Sequence, residues 1–223
     1  MCQNTFSNAA EAAGEEWVVD NPRFRQFIGE VNRIRQSGEE PLAIIEAIKP
    51  HFAALMAEDG WLPEKYQQPA EEGGMGSGIG NWLLYRTLDG SLALSALVVP
   101  PGAQTPVHDH LAWGLVGLYR GEQDEDVFTR RDDGPIGDTV ELEILEHRHL
   151  KQGEFYELLP ETDIHRVKTT SDITSVSLHL LGIDNGCIWR HQFVPEEGTA
   201  RPFKSGYVNA PCDDAAPAAA TTT

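Results

Sequence analysis

Cysteine, cationic side chains and long apolar runs are all scarce in this chain. Only three cysteines occur, Cys2, Cys187 and Cys212, an odd number spread widely. They suggest no disulfide framework, and a reducing, cytoplasmic setting fits them. Cys2 and Cys212 are expected in flexible ends and Cys187 on a packed strand. Lys and Arg number 17 against 35 Asp and Glu, giving a formal net charge of -18. That balance excludes nucleic acid as a partner, because phosphate binding needs a positive footprint. A site for an anionic ligand must therefore make its own local positive field. No run of about 18 apolar residues occurs, so no membrane span is expected. The opening Met1-Cys2-Gln3-Asn4-Thr5 lacks the basic stretch and apolar core of a secretory signal.

What is present has a clear order. Residues 1–20 mix small, polar and acidic types without period and are expected to be flexible. Asn21-Pro22 looks like a helix cap with Pro at the first helical position. Phe24, Phe27, Ile28, Val31 and Ile34 follow at helical spacing. A second helical stripe carries Leu42, Ile45, Ile48, Phe52 and Leu55, with Pro50 expected to kink or split it. The glycine-rich segment 71–80 lacks the Gly-Lys-Ser/Thr of a phosphate loop and reads as a connection. From Trp82 onward, short β-rich runs alternate with turn signals such as Asp89-Gly90, Pro101-Gly102 and Gln152-Gly153. That texture predicts an all-β double-sheet jelly roll or barrel over 82–209, capped by helices at 21–66. The tail 210–223 is low in complexity and expected to be disordered.

The chemistry gathers in two spaced motifs. The first runs Gly102, five residues, His108-Asp109-His110, three residues, Gly114, six residues, Gly121. Residues i and i+2 of a strand share a face, so His108 and His110 can present both imidazoles to one ion. The second runs Gly153, six residues, Pro160-Glu161-Thr162, two residues, His165, three residues, Thr169. His165 is the third ligand in this reading. Three imidazoles leave coordination positions open, and open positions permit catalysis.

Taken together, the two motifs resemble those of the cupin superfamily. Gly114 stands where most cupins carry a Glu ligand, and Thr162 and Thr169 replace a Gly and an Asn. Loss of the Glu makes the chain similar to the thiol dioxygenases, more to the bacterial mercaptopropionate type than to the animal cysteine type, over roughly residues 40 to 209. Supporting segments are Thr105–His110, Trp113–Leu115, Ser175–His179 and Pro202–Asn209. The resemblance implies a single cupin, a double-stranded β-helix, holding Fe(II) on His108, His110 and His165. It implies a small thiol carboxylate and O2 as co-substrates and a sulfinate product, with 3-mercaptopropionate or cysteine as the thiol.

The same resemblance assigns roles to further residues. Ser177 and His179 match the first two members of a Ser-His-Tyr relay beside the iron, whose third position falls on Leu181. Tyr207 is a second source for that hydroxyl. Arg190 aligns with a substrate-carboxylate clamp, with Arg86 as the fallback. Trp113 and Trp189 either line the pocket or pack in the core. His51, His147, His149 and His191 read as structural or surface residues. Other cupin chemistry, such as an isomerase or C–C dioxygenase, and a non-catalytic small-molecule-binding cupin are the alternatives. A homodimer is an open assembly, since cupins often dimerise.

Overall fold

The computed structural model describes residues 14–71, 75–132, 136 and 139–212. Its first helix, α1 (Pro22–Arg35), starts where the Asn21 side chain accepts a hydrogen bond from the Phe24 amide at 3.0 Å. The expected apolar stripe, from Phe24 to Ile34, is buried. α2 (Pro41–Met56) runs unbroken through Pro50. Its buried stripe is Ile44, Ile45, Ile48, Phe52, Leu55 and Met56, while Leu42 is 53% exposed. The period, rather than the individual residue, decides here: 44, 48, 52 and 56 lie one above another on the helix, and Leu42 falls outside that row. A 3-10 turn at Glu64–Gln67 closes the cap.

Among the described residues, twelve strands build two six-stranded sheets. The first holds β1 (Glu15–Trp17), β2 (Gly80–Thr87), β3 (Ala93–Val99), β10 (Ser175–Leu181), β5 (Gly114–Arg120) and β8 (Phe155–Leu158), in that order. The second runs β12 (Thr199–Phe203), β11 (Arg190–Val194), β4 (Val107–His108), β9 (Ile164–Thr169), β6 (Glu122–Arg130) and β7 (Leu142–Lys151). All the pairings are antiparallel. The successive strands cross from sheet to sheet, as in a jelly roll, so the fold is the expected cupin-type double-stranded β-helix with a helical cap.

The cap covers the outer face of the first sheet. Leu94, Ala96 and Val98 of β3, Leu115 and Tyr119 of β5, and Val176, Leu178 and Leu180 of β10 join the helices in one apolar cluster. Phe52 meets Phe155 at 5.6 Å and Phe24 stacks on Trp61 at 5.3 Å. Each such side chain contributes roughly 1.5–3 kcal/mol on burial. The alternate residues of these strands face the barrel interior, which is why β3 and β10 are buried along their whole length. His179 and Ser177 take the interior parity.

Several expectations are corrected here. β1 lies within the stretch read as flexible and pairs with β2 at Glu15↔Thr87; residues 1–13 lie outside the described residues. β12 was not anticipated as a strand, and β4 stops at His108, short of the strand expected to carry both His108 and His110. Cys187 and Cys212 are joined in a disulfide, so the cysteines no longer argue for a reducing compartment. The pairing places residues up to Cys212 against the barrel, and residues 213–223 lie outside the described ones. Among the described residues no helix is long and apolar enough to cross a membrane.

Candidate metal centre

β4 is only two residues long, yet it sets the centre. His108 pairs with His165 of β9 on one side and with Gln192 of β11 on the other. The cross-strand pairing puts two imidazoles side by side, with ring centroids 4.8 Å apart. His110 lies just beyond the strand, which corrects the expectation of a regular i, i+2 pair. Its position is held by buried Asp163, whose Oδ2 accepts from the amides of His110 at 2.9 Å and Leu111 at 2.6 Å. Asn185 donates to the His110 carbonyl at 2.6 Å. Leu111 consequently sits at φ 55°, a left-handed conformation that a leucine rarely adopts. Asp163 is itself pushed up to about 6 by burial, against the lowering effect of those two amides.

The nitrogen atoms of His108, His110 and His165 lie within 4.8 Å of one another, and all three residues are 2% exposed. Burial and neighbouring positive charge hold His108 and His110 well below the ordinary imidazole range, so their lone pairs are free at neutral pH. Nδ1 of His108 donates to the Pro106 carbonyl at 2.8 Å, which leaves Nε2 as the bare nitrogen. His165 Nδ1 donates to the Glu125 carboxylate, which again bares Nε2. That Nε2 faces His110 Nε2 at 2.8 Å, while His110 Nδ1 is buried without a partner. A cation fits this arrangement. Two nitrogens at cis positions of one ion, each about 2.1 Å from it, stand about 3 Å apart.

Gly114, at the position of the usual Glu ligand, has no room for a side chain. A Cβ there would run into the Leu180 carbonyl oxygen and lie 2.7 Å from Leu181 Cδ2. Thr169, in place of the motif Asn, donates to the Val99 carbonyl at 2.9 Å and ties the two sheets together.

A narrow cavity of about 20 Å3 opens beside the imidazoles. His108, His110, His179 and Arg190 line it, together with Ser205, Tyr207, Asn185 and Leu181. No carboxylate is among its described lining residues. Arg190 is 3% exposed; it donates to the Asp109 carbonyl at 2.5 Å and to Ser205 Oγ at 3.0 Å, and its Nε has no partner. Its guanidinium lies 4.6 Å over the Phe203 ring. Burial lowers it to about 10, which leaves it cationic at neutral pH. The local positive field required in so acidic a protein is thus present at this cavity.

His179 is hydrogen-bonded to Ser177 Oγ at 3.1 Å through Nε2, and its ring lies 5.9 Å from that of His110. Burial first, then His165 and Arg190, lower it to about 3. Leu181 lines the cavity where the relay would need a phenol. Tyr207 does reach the cavity, but its hydroxyl donates to Asp184 at 2.7 Å.

Three residues offered for the pocket lie elsewhere. Trp113 shares the parity of Leu115 and Tyr119, faces the cap, and packs over Gly182, where a Cβ would meet its indole ring. Trp189 is 37% exposed beneath the Lys204 ammonium. Arg86 is engaged by Glu16 at 2.7 Å and Asp184 at 3.1 Å, in a separate cleft beside the disulfide. His147 and His149 pair with Asp126 at 2.5 Å and Asp124 at 2.7 Å on the outer sheet face. His191 pairs with Asp109 at 2.6 Å.

Glu125 is the residue the motifs did not point to. It is 2% exposed; its Oε1 accepts from His165 and from the Tyr156 hydroxyl at 2.6 Å, and Arg148 stands 3.7 Å from Oε2. Burial alone would raise its carboxyl, but those hydrogen bonds and cations hold it below the ordinary range. The signal was the parity of Gln123, Glu125 and Val127, which all face inward on β6.

No family model matches the chain. Among solved structures, an uncharacterised double-stranded β-helix protein from Klebsiella pneumoniae is 11% identical over 66% of this chain and 99% of its own, with a TM-score of 0.40. A Cupin 2 conserved barrel domain protein from Salinispora arenicola is 15% identical over 56% and 88%, at 0.36. An oxalate oxidase is 18% identical over 43% of each chain, at 0.34, so the likeness spans less than half of that enzyme. The functional reading rests on the geometry above.

Proposed function

We propose that the chain is a non-haem Fe(II)-dependent thiol dioxygenase that converts a small thiol carboxylate and O2 to the sulfinate. One observation carries this reading: the three buried imidazoles of His108, His110 and His165 cluster beside a cavity that His108 and His110 line together with the buried Arg190 guanidinium, with no carboxylate among the described lining residues. His108, His110 and His165 would hold the iron. Bound there with all three ligands neutral, the iron would keep its full +2 charge and supply the means of bringing a thiolate and O2 together.

The chain's own residues have narrower tasks. Arg190, with Nε free and its plane fixed by Phe203 and Ser205, offers a fork to a carboxylate. The same charge favours the thiolate form of the arriving sulfur. His179 is too weak a base to take a thiol proton, so it orients substrate by hydrogen bonding while Ser177 holds its ring. Among the described lining residues no carboxylate stands ready to pair with an ammonium group, which favours 3-mercaptopropionate over cysteine.

An all-imidazole donor set also suits Zn, Ni and Cu, so isomerase or C–C dioxygenase chemistry is the second reading. O2 uptake by Fe(II)-loaded protein with 3-mercaptopropionate, cysteine, cysteamine and mercaptosuccinate separates the two. Uptake with a carboxylate thiol and recovery of its sulfinate supports the first reading. Thiol binding without O2 uptake contradicts it.

A further inference from the structure

We infer that Glu125 is a positioning residue for the metal, acting through His165 and replacing the carboxylate ligand that Gly114 cannot carry. The inference rests on the metal reading above and goes beyond it in ranking the three ligands. They are not equivalent. His108 is backed by the neutral Pro106 carbonyl, His110 Nδ1 by nothing, and His165 by a buried carboxylate.

A neutral imidazole carries one N–H, and whichever group accepts it decides which nitrogen is bare. The other His165 tautomer would leave the Glu125 carboxylate buried without its principal donor, so the ring is locked with Nε2 toward the cluster. A charged acceptor also makes the imidazole a stronger electron donor than a carbonyl acceptor does. His165 is therefore the strongest of the three donors and His110 the weakest.

Glu125 is held from both sides. The Tyr156 hydroxyl donates to the same Oε1, and the Arg148 guanidinium lies 4.8 Å over the Tyr156 ring while facing Oε2. The carboxylate thus cannot swing away without breaking the buried hydrogen bonds to Oε1. Negative charge that other cupins place on the metal is moved here to one imidazole's length away. Such a site keeps a coordination position open and still offsets part of the metal's charge.

Titration of the metal-free protein with Co(II) tests this, reading both the Kd and the visible absorption bands. Glu125→Gln is nearly isosteric and keeps an acceptor while removing the charge. It should raise the Co(II) Kd about 10- to 100-fold and shift the bands, with far-UV circular dichroism and the metal-free thermal midpoint unchanged. Tyr156→Phe, which leaves the carboxylate in place, should move both readings in the same direction by less, and it carries the test if Glu125→Gln does not fold. A folded Glu125→Gln with the parent Kd and bands overturns the inference and leaves the metal centre standing. Co(II) binding that survives His165→Ala, or that is absent from the parent, overturns both.

Discussion

A side chain at Gly114 would collide with the Leu180 carbonyl oxygen on the adjacent strand. The missing carboxylate ligand is therefore a packing feature of β5 against β10, and simple substitution cannot restore it. Gly114→Glu and Gly114→Ala should each lose stability, by about 1–3 kcal/mol or more, as β10 is forced aside. Urea denaturation measures this through the transition midpoint. A Gly114→Glu protein as stable as the parent, with the new carboxylate bound to metal, would contradict it.

Metal should stabilise the fold, because the three imidazoles belong to separate strands and loops that unfolding disperses. At a Co(II) concentration of one hundred times Kd, the gain is about 2.7 kcal/mol. For a chain of this size that is a rise of about 5–10 °C in thermal midpoint. His165→Ala should abolish the rise. An equal rise in that variant would place the binding elsewhere.

Arg190 should act on carboxylate thiols alone. Arg190→Met is expected to reduce kcat/KM for 3-mercaptopropionate about a hundredfold or more, since it removes the buried cation opposite the carboxylate. Turnover of cysteamine, which has no carboxylate, should change far less. Arg190→Lys should fall between, keeping the charge but losing the fork. Equal losses for both thiols would mean that Arg190 serves only to hold Asp109 and Ser205.

The Cys187–Cys212 disulfide closes a separation of 25 residues that spans β11, β12 and the Arg190 wall of the cavity. Replacing both cysteines by serine should lower stability by about 3 kcal/mol, from the loop entropy returned to the unfolded chain. Denaturation under non-reducing conditions measures it. Identical curves for parent and double variant would contradict it.

Much of the architecture was legible because it follows from periodicity. The helical stripe from Phe24 to Ile34 and the two spaced His motifs each carry a pattern longer than chance supplies. What escaped has a physical reason in each case. The strand expected to hold both His108 and His110 ends at His108, because β4 is two residues long and its register is set by β9 and β11 rather than by a period of its own. Trp113 was placed by residue type, whereas strand parity turns it toward the cap. Glu125 sits in an acidic run, Glu122-Gln123-Asp124-Glu125-Asp126, that resembles a solvated face until the alternation is counted. The disulfide joins cysteines that a spread-out count of three did not pair.

X-ray absorption at the iron edge of Fe(II)-reconstituted protein tests the central claim most directly. The account predicts one iron per chain with three imidazole nitrogens at about 2.1 Å, the imidazole scattering being lost together with the iron in His165→Ala. A chain that retains no iron, or an iron whose ligand shell is unchanged in His165→Ala, would contradict it.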